Sequence, residues 1–334
     1  MASTMRAQCL APLLLAAMFA SCLAPTAARV ASDYRKASRD PPVSRPPQFI
    51  LFSHDDDMVT EATKYVFDVS DSFRNPNGCK LPVTWFACTK GCDFSCSTAV
   101  KLWKKGHEVA THTVHHYDMR DMSYSQVSKE VLGARDTLVG CGIPLSELRG
   151  FRTPFLSDSP TIRKVLYDNG FRFDSTIGVE GGRNKLWPAT MEKGVPYDCD
   201  VGGNDCSSSE RYPGMWEVPL YQMAGSENIM DYCTDSSSSD PIDGCSAYDV
   251  LKKEFDATYT SNRGPVTIGV HSIATGYLQS STYRKEIKQF FDYALSFEDV
   301  WVVTISQFLD WMEKPVPANK MKQFMSKYTC PSSS

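Results

Sequence analysis

From Gln48 onward the chain keeps one rhythm, a short apolar run that reads as a buried strand followed by a segment with helical period. "QFILFS" precedes "TEATKYVFDVSDSF", "VTWFAC" precedes "CSTAVKLWKKG", and "HEVATHT" precedes "YSQVSKEVLGARDTLVG". "LRGFRTP" and "FRFDSTI" read as strands on either side of the helix "SPTIRKVLYDNG". The helix "AYDVLKKEFDATYTS", the strand "PVTIGVH", the helix "TYRKEIKQFFDYALSF", the strand "VWVVTI" and the helix "SQFLDWMEK" complete the series. Strands joined through helices pair in parallel, because the helix carries the chain back across the sheet. The expected fold is therefore α/β, a distorted parallel (β/α) barrel. Between residues 180 and 245 the rhythm breaks into segments rich in Gly, Ser, Asp and Cys, with one strand-like stretch, "MWEVPLYQM". These predict long, disulfide-tied loops over one face, not a second domain.

The ends of the chain read differently. Arg6 precedes the apolar run "CLAPLLLAAMFASCLAP", and "TAA" at 26–28 supplies the small residues of a cleavage site, so residues 1–28 are predicted to be a secretory signal peptide. The mature protein would then be secreted and extracellular. Residues 29–45 are polar, lack a hydrophobic period and read as a disordered leader, residues 46–316 as the folded domain, and residues 317–334 as a C-terminal tail. No later run is long and apolar enough to span a bilayer, so no membrane association is expected after signal removal. A net charge of -4 leaves no excess of Lys and Arg to neutralise phosphates, which argues against nucleic acid. A monomer is expected.

Loss of the signal removes Cys9 and Cys22 and leaves ten of twelve cysteines, an even number that in an exported chain reads as up to five disulfides. Cys199 with Cys206 and Cys233 with Cys245 are expected to be local bridges. Cys88, Cys92 and Cys96 are spaced four apart, lack the tight pair of a zinc knuckle and have no second pair at finger spacing.

In a barrel of this kind reactive groups gather at the C-terminal ends of strands. Four such ends carry "SHDDD" at 53–57, "HTVHH" at 112–116, "RTPF" at 152–155 and "GVH" at 269–271, and five of the six histidines lie in them. His112 and His116 are four apart, able to face one point as the chain turns from strand to helix. Three carboxylates directly after a buried strand are costly without a cation. One of them with the two histidines makes an open, three-ligand set of the catalytic kind, suited to zinc or to another divalent metal such as Co or Mn.

In order and spacing these segments resemble the motifs of the polysaccharide deacetylases, the NodB-homology or carbohydrate esterase family 4. "SHDDD" is similar to T-F-D-D, "HTVHH" to H-[ST]-x-x-H, "RTPF" to R-x-P-[YF], and "GVH" to the late histidine motif. "NPNGC", "KKGHEVATHT", "LWPATMEKG" and "MWEVPL" look like the chitin deacetylase-like proteins of animals. The resemblance implies Asp55 as general base, Asp56, His112 and His116 as metal ligands, and His271 as general acid. It further implies Arg152 as the partner of Asp55 and the Phe155 backbone N–H as an oxyanion donor. The implied reaction is hydrolysis of N-acetyl groups in chitin or a related N-acetylglucosamine polymer, releasing acetate. Trp216 is a candidate for stacking on the sugar or for packing the core. An O-acetyl esterase, or a chitin-binding protein that kept the fold and lost efficient catalysis, remain alternatives.

Three positions depart from the pattern. His54 replaces Phe, Asp57 replaces Gly or Ala, and Gly269 stands where a larger apolar residue is usual. A third carboxylate beside the base is expected to raise carboxylate pKa values, so restoring glycine at Asp57 should keep or improve activity. No acid beside His271 is recognisable, Glu217 being a weak candidate.

Overall fold

The structure is a computed structural model and describes residues 36–199, 204–223, 226, 228–235, 238–328 and 330. The predicted signal segment 1–28 and residues 29–35 of the predicted leader lie outside the described residues.

Eight strands run β1 (Gln48–Asp56), β2 (Thr84–Ala87), β3 (Glu108–Thr111), β4 (Gly150–Phe151), β5 (Phe173–Asp174), β6 (Gly178–Glu180), β7 (Ala189–Met191) and β8 (Tyr212–Glu217). β9 (Leu220–Gln222), β10 (Val266–Val270) and β11 (Val300–Val302) follow. The helices are α1 (Thr60–Ser70), α2 (Cys96–Lys104), α3 (Tyr124–Cys141), α4 (Pro160–Asp168), α5 (Ala247–Tyr259), α6 (Ser281–Ala294), α7 (Ile305–Glu313) and α8 (Met321–Met325). The main sheet has the order β10-β1-β2-β3-β4-β5-β8-β7, with β11 also on β1. Every pairing in it is parallel except β7 with β8. The result is a curled parallel half-barrel with helices on its outside, the α/β barrel-like fold that the strand–helix rhythm predicts.

β1 is the axis of the sheet. All nine of its residues are buried, and it pairs with β10, β11 and β2 along its length. Continuous burial on both faces is what a nearly unbroken apolar run supports in a parallel sheet. One side of the sheet packs on the outer helices through Phe52, Val66, Trp85 and Phe291. The interior is filled by Phe49, Phe86, Phe173, Trp187, Trp216 and Trp311. Trp216 is fully buried there, which corrects its candidacy as a sugar-stacking residue. On β8 the side chains alternate, and the residue that enters the aromatic interior is not available at the surface.

"MWEVPLYQM" resolves into two strands in different sheets, because β9 leaves β8 at Val218-Pro219 and pairs in parallel with β6 instead. A proline lacks the N–H that a continuous ladder would need. The described part of the predicted leader, residues 36–45, is not free. Ser38 O accepts from Trp187 N–H at 2.9 Å, Arg39 O accepts from the Asn262 side chain at 2.7 Å, and Arg45 O accepts from Ala318 N–H at 3.0 Å. The segment after residue 316 likewise docks, burying Met321 and Met325 of α8 in the aromatic interior cluster. A Cys79–Cys330 disulfide ties it to the loop after α1. The other bridges are Cys88–Cys92, Cys96–Cys141, Cys199–Cys206 and Cys233–Cys245, the last two as expected from sequence. No helix among the described residues is long and apolar enough to cross a membrane.

Candidate active site

The C-terminal ends of β1, β3, β4 and β10 open into one groove of ≈ 920 Å³. Asp55, Asp56, His112, His116, Phe155 and His271 all line it. The four segments singled out in the sequence therefore converge.

Neighbouring residues of a regular strand point to opposite faces. Asp56 escapes this by adopting φ 75°, and both Asp55 and Asp56 reach the groove. Asp55 Oδ1 accepts from Arg152 Nη1 at 2.7 Å. Arg152 is itself fixed, since Nη1 also donates to Ser53 Oγ at 3.0 Å, Nε to Ser175 O at 2.7 Å and Nη2 to Ser175 Oγ at 3.0 Å. Its guanidinium lies over the Phe86 ring, 4.1 Å from the centroid. A fully buried arginine so held presents one orientation to Asp55.

His112 and His116 come from the turn after β3. His112 N–H bonds to Ala87 O at 2.8 Å, and its Nδ1 sits 2.8 Å from Arg152 O. A carbonyl only accepts, so Nδ1 carries the proton and, in the neutral ring, Nε2 is left with a free lone pair. Thr113 and His116 take φ values of 72° and 59°, and His116 N–H bonds to Thr113 Oγ1 at 3.0 Å, which curls the turn and brings the second ring round. The His112 and His116 Nε2 atoms lie 3.3 and 3.0 Å from Asp56 Oδ1.

Asp56 Oδ1 is buried without a hydrogen bond of good geometry, and one ligand atom from each of Asp56, His112 and His116 lies within 4.8 Å of the others. Burial alone would raise the Asp56 pKa, but with no cation bound, Nε2–H donation from protonated His112 and His116, with the charge of His271, holds it far below the usual carboxylate range, and a cation would take the place of those protons. A carboxylate kept ionised among nitrogen lone pairs, with one buried oxygen unsatisfied, fits a divalent cation.

His115 turns away. Its Nδ1 is 2.8 Å from Glu130 Oε1, and Glu130 Oε2 accepts from Val114 N–H at 3.2 Å and His115 N–H at 2.8 Å. Glu130, on α3, thus anchors the backbone between the two candidate ligands. No spacing signal marked it, because an exposed-looking Glu on a helix is ordinary in sequence.

His271 follows β10. The acid beside it is Asp231, whose Oδ2 is 2.8 Å from His271 Nδ1 and whose Oδ1 accepts His271 N–H at 2.8 Å. Thr275 Oγ1 also donates to Asp231 Oδ2 at 2.8 Å. His271 Nε2 is 3.7 Å from Asp56 Oδ2. Burial lowers the His271 pKa, but Asp231, then Asp56 and Asp55, carry it up to about 10, a rise that a cation at Asp56 would oppose. Glu217 is not this acid. It is buried at the end of β8, opposite Asp174 in the strand register, and accepts from Ile177 N–H at 3.1 Å.

The glycine at 269 now has a reason. A Cβ there would lie 2.8 Å from Met230 Cγ and 2.9 Å from its Cε, and Met230 precedes Asp231. Gly269 O accepts Asp231 N–H at 3.2 Å. The missing side chain makes room for the segment that delivers Asp231.

Phe155 has φ 58° and is 67% exposed, with its ring edge-on to His116 at 4.7 Å. Its N–H has no partner among the described hydrogen bonds. His54 is buried against Trp85. Burial, then the charge of His271, lowers its pKa to about 4, so it is neutral at neutral pH.

Residues 43–173 match the family model described as polysaccharide deacetylase. Chitin deacetylase 1 of Bombyx mori is 27% identical over 306 residues, covering 85% of this chain and 54% of that protein. Chitin deacetylase 8 of Bombyx mori is 24% identical over 296 residues, covering 86% of this chain and 76% of that protein. The chain thus spans about half the length of the first relative and about three quarters of the second. A solved structure from Mycobacterium smegmatis, whose description names a polysaccharide deacetylase, superposes with a TM-score of 0.53 at 16% identity. It covers 90% of this chain and 99% of its own, and supports the fold alone.

Proposed function

We propose, from the polysaccharide deacetylase domain that this chain carries, that it is a secreted, metal-dependent N-deacetylase acting on chitin or a chitin-like polymer of N-acetylglucosamine. The observation that carries this reading is the convergence of two held pairs, Asp55 with Arg152 and His271 with Asp231, on the groove that contains Asp56, His112 and His116. Such a set suits hydrolysis of an acyl bond.

Asp56, His112 and His116 would hold the cation, zinc or another divalent metal such as Co or Mn. When bound, it supplies Lewis-acid chemistry, polarising an acyl carbonyl and making water more acidic. Asp55, oriented by Arg152, takes a proton from the attacking water as oxygen bonds to the acetyl carbon. The Phe155 N–H donates to the oxyanion that develops on the acetyl oxygen. His271, oriented by Asp231, gives a proton to the sugar nitrogen as the C–N bond breaks, leaving acetate and a free amine. Five disulfides accord with an oxidising, extracellular destination.

The test is acetate release from chitin oligomers, acetylxylan and peptidoglycan, with and without a chelator. Release from chitin oligomers, lost on chelation and restored by zinc, is expected. Release from acetylxylan only would make the protein an O-acetyl esterase, and release from none with metal bound would leave a binding protein.

A further inference from the structure

Two of the departures from the family pattern, His54 and Asp57, lie on β1 or directly after it, and both reach the same loop. His54 Nε2 is 2.7 Å from Ser272 Oγ. Asp57 Oδ2 accepts Ala274 N–H at 2.9 Å. Residues 272–275 directly follow His271, and the hydroxyl of Thr275 bonds the Asp231 oxygen that also holds the His271 ring. The other Asp57 oxygen, Oδ1, accepts Asp93 N–H at 3.1 Å, in a second wall of the groove.

That wall is itself seated on the metal-ligand turn. Gly91 N–H bonds to Val114 O at 2.9 Å, and a Cβ on Gly91 would fall 2.2 Å from His115 O, so only glycine allows this approach. The Cys88–Cys92 bridge closes the same loop, and Met58, next to Asp57, exchanges backbone bonds with Asp93 and Ser95 at 2.8 and 3.0 Å. Asp57 is buried, whereas Asp93 and Ala274 are exposed. A glycine or alanine at position 57 would leave both amides without this acceptor.

We propose that His54 and Asp57 are positioning residues. Together they brace the 272–275 loop and, through Thr275 and Asp231, hold His271 at a fixed place relative to Asp55 and the metal-ligand turn, Asp57 also tying the two groove walls to each other. The role in turnover rests on the deacetylase reading above. The brace itself does not.

The experiment compares wild type with Asp57→Asn, Asp57→Gly and His54→Gln in the full chain, each checked for zinc content. Amide hydrogen exchange is read at residues 93 and 274, and acetate release is resolved into kcat and KM on a chitin oligomer. Sequence alone favours glycine here, but the two amides that Asp57 accepts reverse that expectation: in Asp57→Gly both amides should exchange faster and kcat should fall about tenfold, with KM and zinc content little changed, because a displaced acid slows the chemical step without removing the groove. Asp57→Asn keeps the shape and one acceptor oxygen and should lie between Asp57→Gly and wild type. His54→Gln should speed exchange at 274 and spare 93. Unchanged exchange at both amides in Asp57→Gly overturns the brace, and unchanged or improved kcat overturns its role in positioning. If the wild type itself releases no acetate, the functional reading fails, and the exchange data alone still decide whether the brace exists.

Discussion

Trp216 shows how a residue's surroundings decide between two roles that sequence leaves open. Its indole is buried among Phe86, Phe173 and Trp187, so its removal should act on stability. Trp216→Ala is expected to lower the unfolding free energy by about 3–5 kcal/mol, the range for deleting a buried aromatic side chain, while the folded fraction keeps its KM. A raised KM at unchanged stability, read by denaturant unfolding beside kinetics, would return Trp216 to the groove. The grouping of Asp55, Asp56, His112, His116, Arg152 and His271 was legible because each sits within a few residues of a strand end. Asp231 was not. It lies 40 residues from His271, in a segment whose Ser, Asp and Cys content carries no period, and only the room left by Gly269 and the fold of that segment bring it in.

Among the elements, the turn after β3 depends on a helix it does not belong to. Glu130 of α3 accepts both backbone amides of Val114 and His115 and bonds the His115 ring, and its loss would free the backbone between His112 and His116. Glu130→Ala is expected to weaken zinc binding by about tenfold or more, comparable with loss of an outer partner of a metal site. Glu130→Gln should lose less, because it retains one acceptor oxygen. Competition against a chelator measures this, and unchanged affinity in Glu130→Ala would show that the turn holds itself. Every helix of the β/α rhythm was legible to within a few residues, since each has a clear apolar stripe. β6, β7 and the split between β8 and β9 were not, because strands of three residues inside long loops leave no alternation to read.

At the scale of the molecule, the same βα rhythm that predicts the barrel also predicts where its chemistry lies. What it missed were the ends, where residues 36–45 attach by backbone hydrogen bonds scattered along polar sequence and the short α8 buries two methionines one turn apart, too brief a stretch to show a period. Stability should respond to acid through a histidine far from the groove. His107 is buried, with Nδ1 accepting Val83 N–H at 3.1 Å, and burial lowers its pKa to about 4. A folded pKa below the unfolded value of about 6.5 means that the unfolded chain binds the proton more readily. The contribution is therefore complete above about pH 6.5 and is lost as pH falls towards 4, an effect on the order of 3 kcal/mol. His107→Gln should flatten that part of the stability–pH curve relative to wild type, and an unchanged slope would contradict it. The central claim, that Asp55 moves the proton while Asp56 holds the cation, is tested most directly by measuring acetate release and bound zinc together in Asp55→Asn. The account predicts that release from chitin oligomers is abolished with one zinc still bound, and near-normal release from the same oligomers would contradict it.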